Sequence, residues 1–294
     1  MNRICIILNP AARSERARDL KEKVRRLAKG VTLKFTECPG DAEAQAERAI
    51  QQGYDTIIAA GGDGTINEVV NGLTGLDGEG EHGAKKPTLG ILPIGSVNVF
   101  SMELGIPNQL EKAWDVIVRG KVREIDLAFA NDHRFVQLAG VGLDAQIVEK
   151  TEWESKKLLG PLSYLLTGAQ MMAEKAPQLV IHAEEGRAIH GSFVLIGNGR
   201  FYGGPFPIFK EAKIDDGLLD ICVFEQMNPF ALARYIQGIL SGSHLKLPDV
   251  RYFKSRRVRI HSSEPVPVEV DGELLGHLPC EFSVAPKALR VLVP

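Results

Sequence analysis

Residues 54–73 read YDTIIAAGGDGTINEVVNGL, and this stretch decides the fold of the first part of the chain. The continuous apolar run Tyr54–Ala60 predicts a buried strand, and the residues from Thr65 onward predict a helix. Between them lies a glycine loop, Gly61–Gly64, whose backbone can turn sharply and approach a ligand closely because glycine has no Cβ. The N–H groups of such a loop and of a helix start favour an anion, typically a phosphate. A tight strand–helix turn without a ligand is the alternative.

Asp63 is an unexpected residue for a loop that only binds phosphate, because like charges repel. It fits a loop in which Mg²⁺ or a reacting hydroxyl lies between the carboxylate and the phosphate. The octet at 61–68 does not match GxGxxG in register, and no GK[ST] follows it. A hydride-transfer enzyme and a P-loop kinase are therefore both disfavoured.

Outward from this stretch, strands and helices alternate up to about residue 120. Further strands are predicted at 3–8, 31–35 and 88–92, and helices at 14–29, 42–52 and 109–119. This alternation predicts a parallel sheet with helices on both faces. Short strands dominate beyond residue 122, so we predict an α/β domain over 1–122 and a largely antiparallel β-rich domain over 123–294.

The 294 residues suffice for two domains, and 44% hydrophobic with 24% charged residues excludes disordered and fibrous classes. A net charge of -2 provides no basic field for nucleic acid. The first ten residues do not resemble a signal peptide, and no apolar run approaches the roughly 18 residues of a membrane span. The four cysteines form no CxxC pair, which is typical of reduced thiols. We therefore expect a cytoplasmic protein.

Two other segments follow predicted strands in the same way. Leu92–Asn98 reads LPIGSVN, and Asn9–Arg13 reads NPAAR after the first strand. Loops at the carboxyl ends of parallel strands face one crevice, so we expect both segments to join the glycine loop in one site. Arg13 is suited to donate to a phosphate, although an exposed surface arginine is an equal alternative.

Together these segments resemble the diacylglycerol kinase catalytic-domain family, which includes bacterial lipid kinases and the sphingosine and ceramide kinases. Residues 61–73, GGDGTINEVVNGL, are similar to that family's signature over their whole length. Further similar motifs follow in order: NP at 9–10, Thr36 with GDA at 40–42, LPIGSVNVF at 92–100, GVGLDA at 140–145, NGRFYGGPF at 198–206, EAKIDDGLLD at 211–220 and VDGE at 270–273. The resemblance implies a nucleotide domain similar to those of NAD kinases and phosphofructokinases, then a mainly antiparallel β-sandwich for the lipid, with the site in the cleft between them.

The resemblance also implies roles for individual residues. It implies that ATP is bound by Asn9, Pro10, Ala11, Ala12, Arg13, Thr36, Gly61, Gly62, Asp63, Gly64, Thr65, Ile66, Asn67 and Ser96. Ser96 stands where the family usually has threonine. Asp63 is expected at the centre of the Mg²⁺–phosphate network, with Asp126 and Asp216 in support. A Mg²⁺ site is matched by Lys213, Asp216 and Leu218. In this site Lys213 and Leu218 must coordinate the ion through their backbone carbonyl oxygens. A β-turn entering a strand is a compatible reading of this segment.

The family's catalytic base maps onto VDGE, with Glu273 preferred over Asp271. A carboxylate beside the acceptor hydroxyl can take its proton while Mg²⁺ and backbone N–H groups hold the triphosphate. A hairpin with solvated acids is the alternative reading. One departure matters: the family usually reads GTxND, but here Val99 follows Asn98. An acidic member of the network is therefore missing. Either the network is rearranged, or the activity is weak, or the chemistry differs.

Two further stretches bear on the acceptor. Arg251–Ile260, RYFKSRRVRI, holds five basic residues and is suited to anionic lipid head groups, but a charged strand edge is the favoured reading. Leu158–Met172, LLGPLSYLLTGAQMM, is favoured as a core helix over a wall of an acyl-chain pocket.

These observations predict a two-domain, ATP- and Mg²⁺-dependent lipid kinase that phosphorylates a hydroxyl of a membrane lipid, diacylglycerol or a related lipid. An NAD-kinase-like small-molecule kinase shares GGDGT, but the long β-rich second half with DDG and DGE argues against it. A nucleotide- or lipid-binding protein with weakened catalysis is the third reading, motivated by Val99. The expected partner is a membrane lipid and not nucleic acid. Peripheral contact at the inner face of the membrane and a homodimer are both left open.

Overall fold

The computed structural model describes residues 3–10, 22–74, 86–150, 177–184 and 186–294, with the side chains of 74 and 147–150 excepted. Inter-residue contacts divide the chain into two compact units. The first contains Met1–Ile125 and Lys287–Pro294, and the second contains Asp126–Pro286. None of the helices within the described ranges is both long and apolar enough to span a membrane.

The first unit is built on a parallel sheet. Its strands are β1 (Ile4–Leu8), β2 (Thr32–Phe35), β3 (Thr56–Gly61) and β4 (Thr88–Pro93). They lie in the order β2-β1-β3-β4, and each neighbouring pair is parallel. β3 and β4 are buried throughout their length, as continuous apolar runs in a parallel sheet require.

The helices of the first unit alternate with these strands, as predicted. They are α1 (Asp41–Gln51), α2 (Asp63–Thr74), α3 (Val99–Glu103) and α4 (Leu110–Arg119), and residues 22–27 are also helical. Helices α1 and α2 approach closely: a Cβ on Gly72 would lie 2.4 Å from the carbonyl oxygen of Glu43 and 2.8 Å from the Cβ of Ala46. The small residues at these positions therefore set the spacing of the two helices.

The second unit is antiparallel. Two strands carry the chain across the unit boundary, namely β5 (Lys121–Ala130) and β18 (Cys280–Val293). The other strands are β6 (His133–Phe135), β7 (Leu138–Val141), β8 (Leu179–Ala183), β9 (Ile189–Gly191), β10 (Phe193–Gly197), β11 (Phe201–Tyr202), β12 (Phe206–Pro207), β13 (Leu219–Phe224), β14 (Val250–Ser255), β15 (Arg257–Ser262), β16 (Pro267–Val270) and β17 (Glu273–His277). The helices are α5 (Leu143–Lys150) and α6 (Pro229–Ser241), and His244–Lys246 form a 3₁₀ turn.

Two sheets share one apolar core in this unit. One sheet has the order β14-β13-β10-β7-β16-β17. In the other, β15 pairs with both β18 and β8, and β8 pairs with β9. Val194, Ile221 and Val268 from the first sheet belong to the same buried cluster as Val258 and Phe282 from the second. This packing of sheet on sheet confirms the predicted β-sandwich and, with the parallel sheet of the first unit, the predicted fold class.

The contact division differs from the predicted boundary between residues 122 and 123. It falls within β5, after Ile125, and it returns Lys287–Pro294 to the first unit. The return has a simple cause: Arg290 and Val291 of β18 pair in parallel with Thr88 and Leu89 of β4. The sequence could not show this, because the end of β18 reads like any other strand of the second domain.

Candidate active site

The predicted nucleotide segments follow the carboxyl ends of neighbouring parallel strands. Asn9 follows β1, Thr36 follows β2, Gly61 ends β3 and Gly95 comes just after β4. The side chain of Asn9 reaches across to the glycine loop, where its Nδ2 donates to Oγ1 of Thr65 over 3.0 Å. These predicted ATP residues therefore lie at one edge of the sheet. Three others, Ala11, Ala12 and Arg13, lie outside the described residues.

Two glycine-containing loops touch each other directly at this edge. The N–H groups of Ile94 and Gly95 both donate to the carbonyl oxygen of Gly61, over 3.0 and 3.2 Å. A Cβ on Gly95 would lie 2.4 Å from the Cα of Gly62, closer than real Cβ contacts allow. Glycine is required here so that two backbones can meet, which leaves a surface of peptide groups suited to a phosphate.

Asp63 clamps the second loop to the first. Its Oδ2 accepts the N–H of Val99 over 3.0 Å, and its Oδ1 accepts the N–H of Phe100 over 3.1 Å. These two N–H groups begin helix α3, so the carboxylate satisfies donors that a helix start leaves without intrahelical partners. Asp63 thus has a structural role that the sequence reasoning did not assign to it, and its role in a Mg²⁺–phosphate network stays a prediction.

Glu68 forms a second clamp of the same kind. Its Oε1 accepts the N–H of Gly40 over 2.9 Å, and its Oε2 accepts the N–H of Ala42 over 3.0 Å. The carboxylate therefore caps helix α1 from the side of α2. Asp41 is the first residue of the helix, and Gly40 precedes it without a side-chain cap. Both acids of the GGDGTINE segment thus hold neighbouring backbone in place.

The remaining predicted ATP residues divide by exposure. The side chains of Thr36, Ile66 and Asn67 are buried, and Oδ1 of Asn67 accepts Nδ2 of Asn71 over 3.0 Å. Ile66 can therefore meet a nucleotide only through its backbone. Ser96, in contrast, is exposed in the loop after β4, where its hydroxyl is open to a ligand.

In the second unit, Asp271 organises the VDGE turn. Asp271 and Gly272 both have positive φ, 48° and 87°, as a two-residue hairpin turn between β16 and β17 requires. The carboxylate of Asp271 accepts three backbone N–H groups, from Val136, Gln137 and Leu138, over 2.9, 2.9 and 3.1 Å. Glu273 follows the turn as the first residue of β17 and is exposed. The turn is thus fixed by one acid and presents the other to solvent.

The turn at Asp271 is linked to two more of the predicted motifs through Asn198. Nδ2 of Asn198, from NGR, donates to the carbonyl oxygen of Val136 over 3.0 Å and to that of Asp126 over 3.3 Å. Oδ2 of the fully buried Asp126 accepts the N–H of Gly217, from IDDGL, over 2.6 Å. The segments carrying Asp126, Asn198, Gly217 and Asp271 therefore form one hydrogen-bonded network within the second unit.

Asp216 of the predicted metal site is ion-paired with a lysine. Nζ of Lys254 lies 2.9 Å from Oδ2 of Asp216 and 3.4 Å from Oδ2 of Asp220. Oδ1 of Asp216 accepts the N–H of Leu218 over 3.1 Å. Both oxygens of the Asp216 carboxylate thus already have protein donors, an ammonium and a backbone N–H, and the Mg²⁺ site at Lys213, Asp216 and Leu218 stays a prediction. Within the described ranges no three His, Cys, Asp or Glu side chains meet as a metal site.

The basic stretch Arg251–Ile260 is largely ion-paired. Arg251 pairs with Glu225 over 2.7 Å, Arg257 pairs with Glu281 over 3.4 Å, and Arg259 also contacts Glu281. Strand β14 lies at the end of its sheet order, whereas β15 lies between β18 and β8. The reading as a charged, solvent-facing strand surface is thereby favoured over a lipid head-group site. The other stretch considered for the acceptor, Leu158–Met172, lies outside the described residues.

The sequence reasoning missed a pair of buried acids. Asp144 lies in GVGLDA and Glu269 lies in β16, and both are buried in the second unit. A signal existed for Glu269, because an acid inside the apolar run PVEV of a strand must be buried and must find a partner. Asn198 and Glu68 were also inside quoted motifs but were given no role, since their partners are distant in sequence.

Comparison with known proteins decides the family. A model described as the diacylglycerol kinase catalytic domain matches residues 3–130, and one described as the YegS C-terminal NAD kinase beta sandwich-like domain matches residues 137–293. A diacylglycerol kinase of Bacillus subtilis (strain 168) is 33% identical over 301 residues, covering 100% of this chain and 97% of the relative. The chain belongs to the diacylglycerol kinase catalytic-domain family.

Other relatives agree with this family. A diacylglycerol kinase of Staphylococcus aureus (strain bovine RF122 / ET3-1) is 34% identical and covers 98% of this chain and 91% of its own length. A crystal structure of a diacylglycerol kinase from Bacillus anthracis str. Sterne has a TM-score of 0.79 and 26% identity, and the match covers 100% of this chain and 97% of that one. The protein is a kinase of a lipid kinase family, with ATP as the phosphoryl donor.

Proposed function

We propose that this chain transfers the γ-phosphoryl group of ATP to a hydroxyl of a membrane lipid, diacylglycerol or a closely related lipid. The observation that carries the proposal is the 33% identity, along the whole chain, to a relative named diacylglycerol kinase. The match to a catalytic-domain model over residues 3–130 supports the same reaction. NAD phosphorylation and nucleotide binding without turnover are the alternatives that an experiment must separate from it.

The loops at the ends of β1, β3 and β4 are the proposed site of the nucleotide. The backbone contact between Gly62 and Gly95 leaves both loops without side chains at that point, which suits the close approach of a phosphate. Asp63 supports this site by fixing the second loop against the first. We propose that Mg²⁺ arrives as part of the nucleotide complex, because the carboxylates of Asp63 and Asp216 are already engaged by protein donors.

Glu273 is the proposed general base. It is exposed, and it directly follows a turn that three hydrogen bonds to Asp271 hold in place. Asp271 suits this task less well, since three N–H groups stabilise its ionised form and occupy its oxygens. Glu273 would take the proton of the acceptor hydroxyl as that oxygen attacks the γ-phosphorus.

A lipid acceptor requires that the chain meets a lipid surface. We propose peripheral contact, which co-sedimentation with anionic vesicles tests. The measurement is made under conditions in which the lipid is phosphorylated. If the chain then stays in the supernatant, it makes no stable contact with the vesicle surface. The homodimer stays a prediction, and sedimentation of the purified chain tests it.

The proposed reaction is tested with ATP labelled in its γ-phosphate. Purified protein is given mixed micelles that contain diacylglycerol, ceramide, sphingosine or monoacylglycerol, and NAD in a parallel reaction without lipid. We expect label in phosphatidic acid, with turnover abolished by a chelator. Label in NAD phosphate would establish the NAD-kinase alternative, and ATP binding without any labelled product would establish the binding-protein alternative.

The assignment of the base is tested by two matched substitutions. Glu273→Gln should lower kcat by roughly 10²- to 10⁴-fold with little change in the KM for ATP, as expected for a lost general base. The melting temperature should fall less than in the Asp271→Asn variant, because Glu273 is exposed. Asp271→Asn should lower the melting temperature instead. If Asp271→Asn reduces kcat at unchanged stability while Glu273→Gln does not, Asp271 is the base.

A further inference from the structure

The two buried acids of the second unit, Glu269 in β16 and Asp144 in α5, face each other across a glycine. Glu269 is 1% exposed and Asp144 is 6% exposed. A Cβ on Gly140 would lie 2.2 Å from Oδ2 of Asp144 and 2.8 Å from Oε1 of Glu269. The missing side chain of Gly140 thus provides the space in which these two oxygens lie.

One oxygen of each carboxyl group accepts a hydrogen bond from a protein donor. Oε2 of Glu269 accepts the N–H of Gly272 over 2.8 Å, and Oδ1 of Asp144 accepts the hydroxyl of Tyr202. The inner oxygen of Glu269, Oε1, is buried, and no N–H or O–H donor of the described residues reaches it. The Asp144 carboxyl lies on the other side of the same space and raises the pKa of Glu269.

Two carboxyl groups can form a hydrogen bond only if they share a proton, because ionised carboxylates are acceptors alone. The hydrogen bonds and the burial of the two acids favour Glu269 as the carboxyl group that carries this proton. The Tyr202 hydroxyl stabilises the ionised form of Asp144, whereas Glu269 is the more deeply buried acid and receives only the Gly272 N–H. A neutral Glu269 would be able to donate from Oε1 towards Oδ2 of Asp144.

The charges around the pair favour the same assignment. Burial and then the facing Asp144 raise the pKa of Glu269 well above its ordinary value, and the N–H of Gly272 offsets this only in part. Asp271 on the adjoining turn raises it further. The groups that face Glu269 are therefore Asp144 from α5, Asp271 from the turn and, through Asp144, the Tyr202 hydroxyl of β11.

We propose that neutral Glu269, by sharing its proton with Asp144, is a positioning residue for the Asp271–Glu273 turn. The pair ties Gly272 of that turn to helix α5 and to Tyr202, two parts of the unit that are distant in sequence. The catalytic consequence rests on the proposed function, in which Glu273 is the base. When Glu269 ionises, two carboxylates face each other in a buried space and the turn is pushed away from α5.

The kinetic test compares the pH dependence of kcat in the wild type, Glu269→Gln and Glu269→Met. Glutamine keeps an acceptor for Gly272 and a donor for Asp144, but it cannot ionise. We expect Glu269→Gln to keep wild-type kcat near neutral pH and to lose the decline that the wild type shows on the alkaline side. Glu269→Met removes both hydrogen bonds and should lower kcat by on the order of 10²-fold, as expected for a misplaced catalytic group. A Glu269→Gln variant as inactive as Glu269→Met would show that the charged form is needed and would overturn the proposal.

A second measurement does not depend on activity. An acid whose pKa is raised on folding makes the folded state bind more protons, so stability falls as pH rises from the ordinary glutamate range through the raised pKa. The unfolding free energy of the wild type, relative to Glu269→Gln, should therefore decrease as the pH rises above the ordinary glutamate range of about 4.3. A constant difference would refute the shared proton even if lipid kinase activity is confirmed. A decrease in the absence of any kinase activity would uphold the pair and refute only the proposed function.

Discussion

The backbone N–H of Val99 donates to Oδ2 of Asp63 over 3.0 Å. Val99 stands at the position where the resemblance to the family leads one to expect an acid. Its backbone N–H is bound instead by the carboxylate of Asp63, from the GGDG segment. Phe100 adds a second N–H to the same carboxylate over 3.1 Å. The contact joins the loop after β3 to the loop after β4, and it bears on several substitutions.

Asp63→Ala should destabilise the protein by about 2 kcal/mol, because two backbone N–H groups at a helix start lose a charged acceptor. Glu68→Ala is a matched control, since Glu68 holds two N–H groups of α1 in the same way. Chemical denaturation should show similar losses for both variants, while ATP affinity falls for Asp63→Ala alone. Unchanged stability of Asp63→Ala would contradict the clamp.

Val99→Asp should lower stability relative to Val99→Asn, which has nearly the same shape without the charge. The new carboxylate would begin helix α3, where the helix dipole favours it by roughly 0.3–1 kcal/mol. It would also lie beside the Asp63 carboxylate, and at about 5 Å with an effective dielectric constant of about 40 that repulsion is on the order of 1–2 kcal/mol. Repulsion therefore outweighs the dipole. The difference in melting temperature between the two variants should shrink in high salt, and a higher turnover of Val99→Asp at equal stability would contradict this account.

Gly95→Ala and Gly62→Ala probe the two sides of one backbone contact. The Cβ at position 95 would lie 2.4 Å from the Cα of Gly62, whereas the Cβ at position 62 would lie 3.3 Å from the Cα of Gly95. We expect Gly95→Ala to cost about 1–3 kcal/mol through overpacking and to weaken ATP binding clearly, with a milder effect of Gly62→Ala. Titration calorimetry with ATP checks the order. Equal affinity in both variants and the wild type would exclude these loops from the nucleotide site.

Lys254→Met should destabilise the second unit by about 3 kcal/mol, because it leaves the Asp220 carboxylate buried without its cation. Burial raises the pKa of Asp220, and the hydrogen bond from Tyr252 and the charge of Lys254 offset this in part. Arg251→Met is the matched control on the same strand, since its exposed pair with Glu225 is worth at most about 1 kcal/mol. Mg²⁺ should raise the melting temperature of Lys254→Met but not that of the wild type. If Mg²⁺ stabilises the wild type equally, Lys254 does not hold the cation position.

The strand, loop and helix around Gly61–Gly64 could be predicted because each signal is local. An apolar run and an amphipathic helix appear in the order in which the chain forms them, and the parallel sheet follows from their alternation. The predicted loop Gly61–Gly64 is shorter in the structure, where Gly61 ends β3, Asp63 begins α2 and only Gly62 lies between them. The family resemblance added the β-sandwich, since its motifs continue in order to VDGE at 270–273. The position of these loops at one edge of the sheet was predictable for the same reason, because parallel strands end on one side.

The partners of the acids could not be predicted, because each lies far away in the chain. Asp63 binds the N–H of Val99, Asp271 binds the N–H of Val136, and Glu269 faces Asp144. Such pairings depend on which backbone groups remain without partners once strands and helices have packed, and spacing along a sequence carries no record of that. The same holds for Lys254, whose ammonium lies 2.9 Å from Oδ2 of Asp216 although 38 residues separate the two in the chain.

The sequence alone therefore determined the class of each half, the loops at the carboxyl edge of the parallel sheet and the family, since these rest on local patterns and on motifs in order. Only the tertiary structure decided which acids hold the fold and which is exposed. Asp63 and Asp271 are each surrounded by backbone N–H groups, while Glu273 is exposed beyond its turn. The physical reason is that a carboxylate's role depends on its solvation and its donors, and folding alone brings those donors to it.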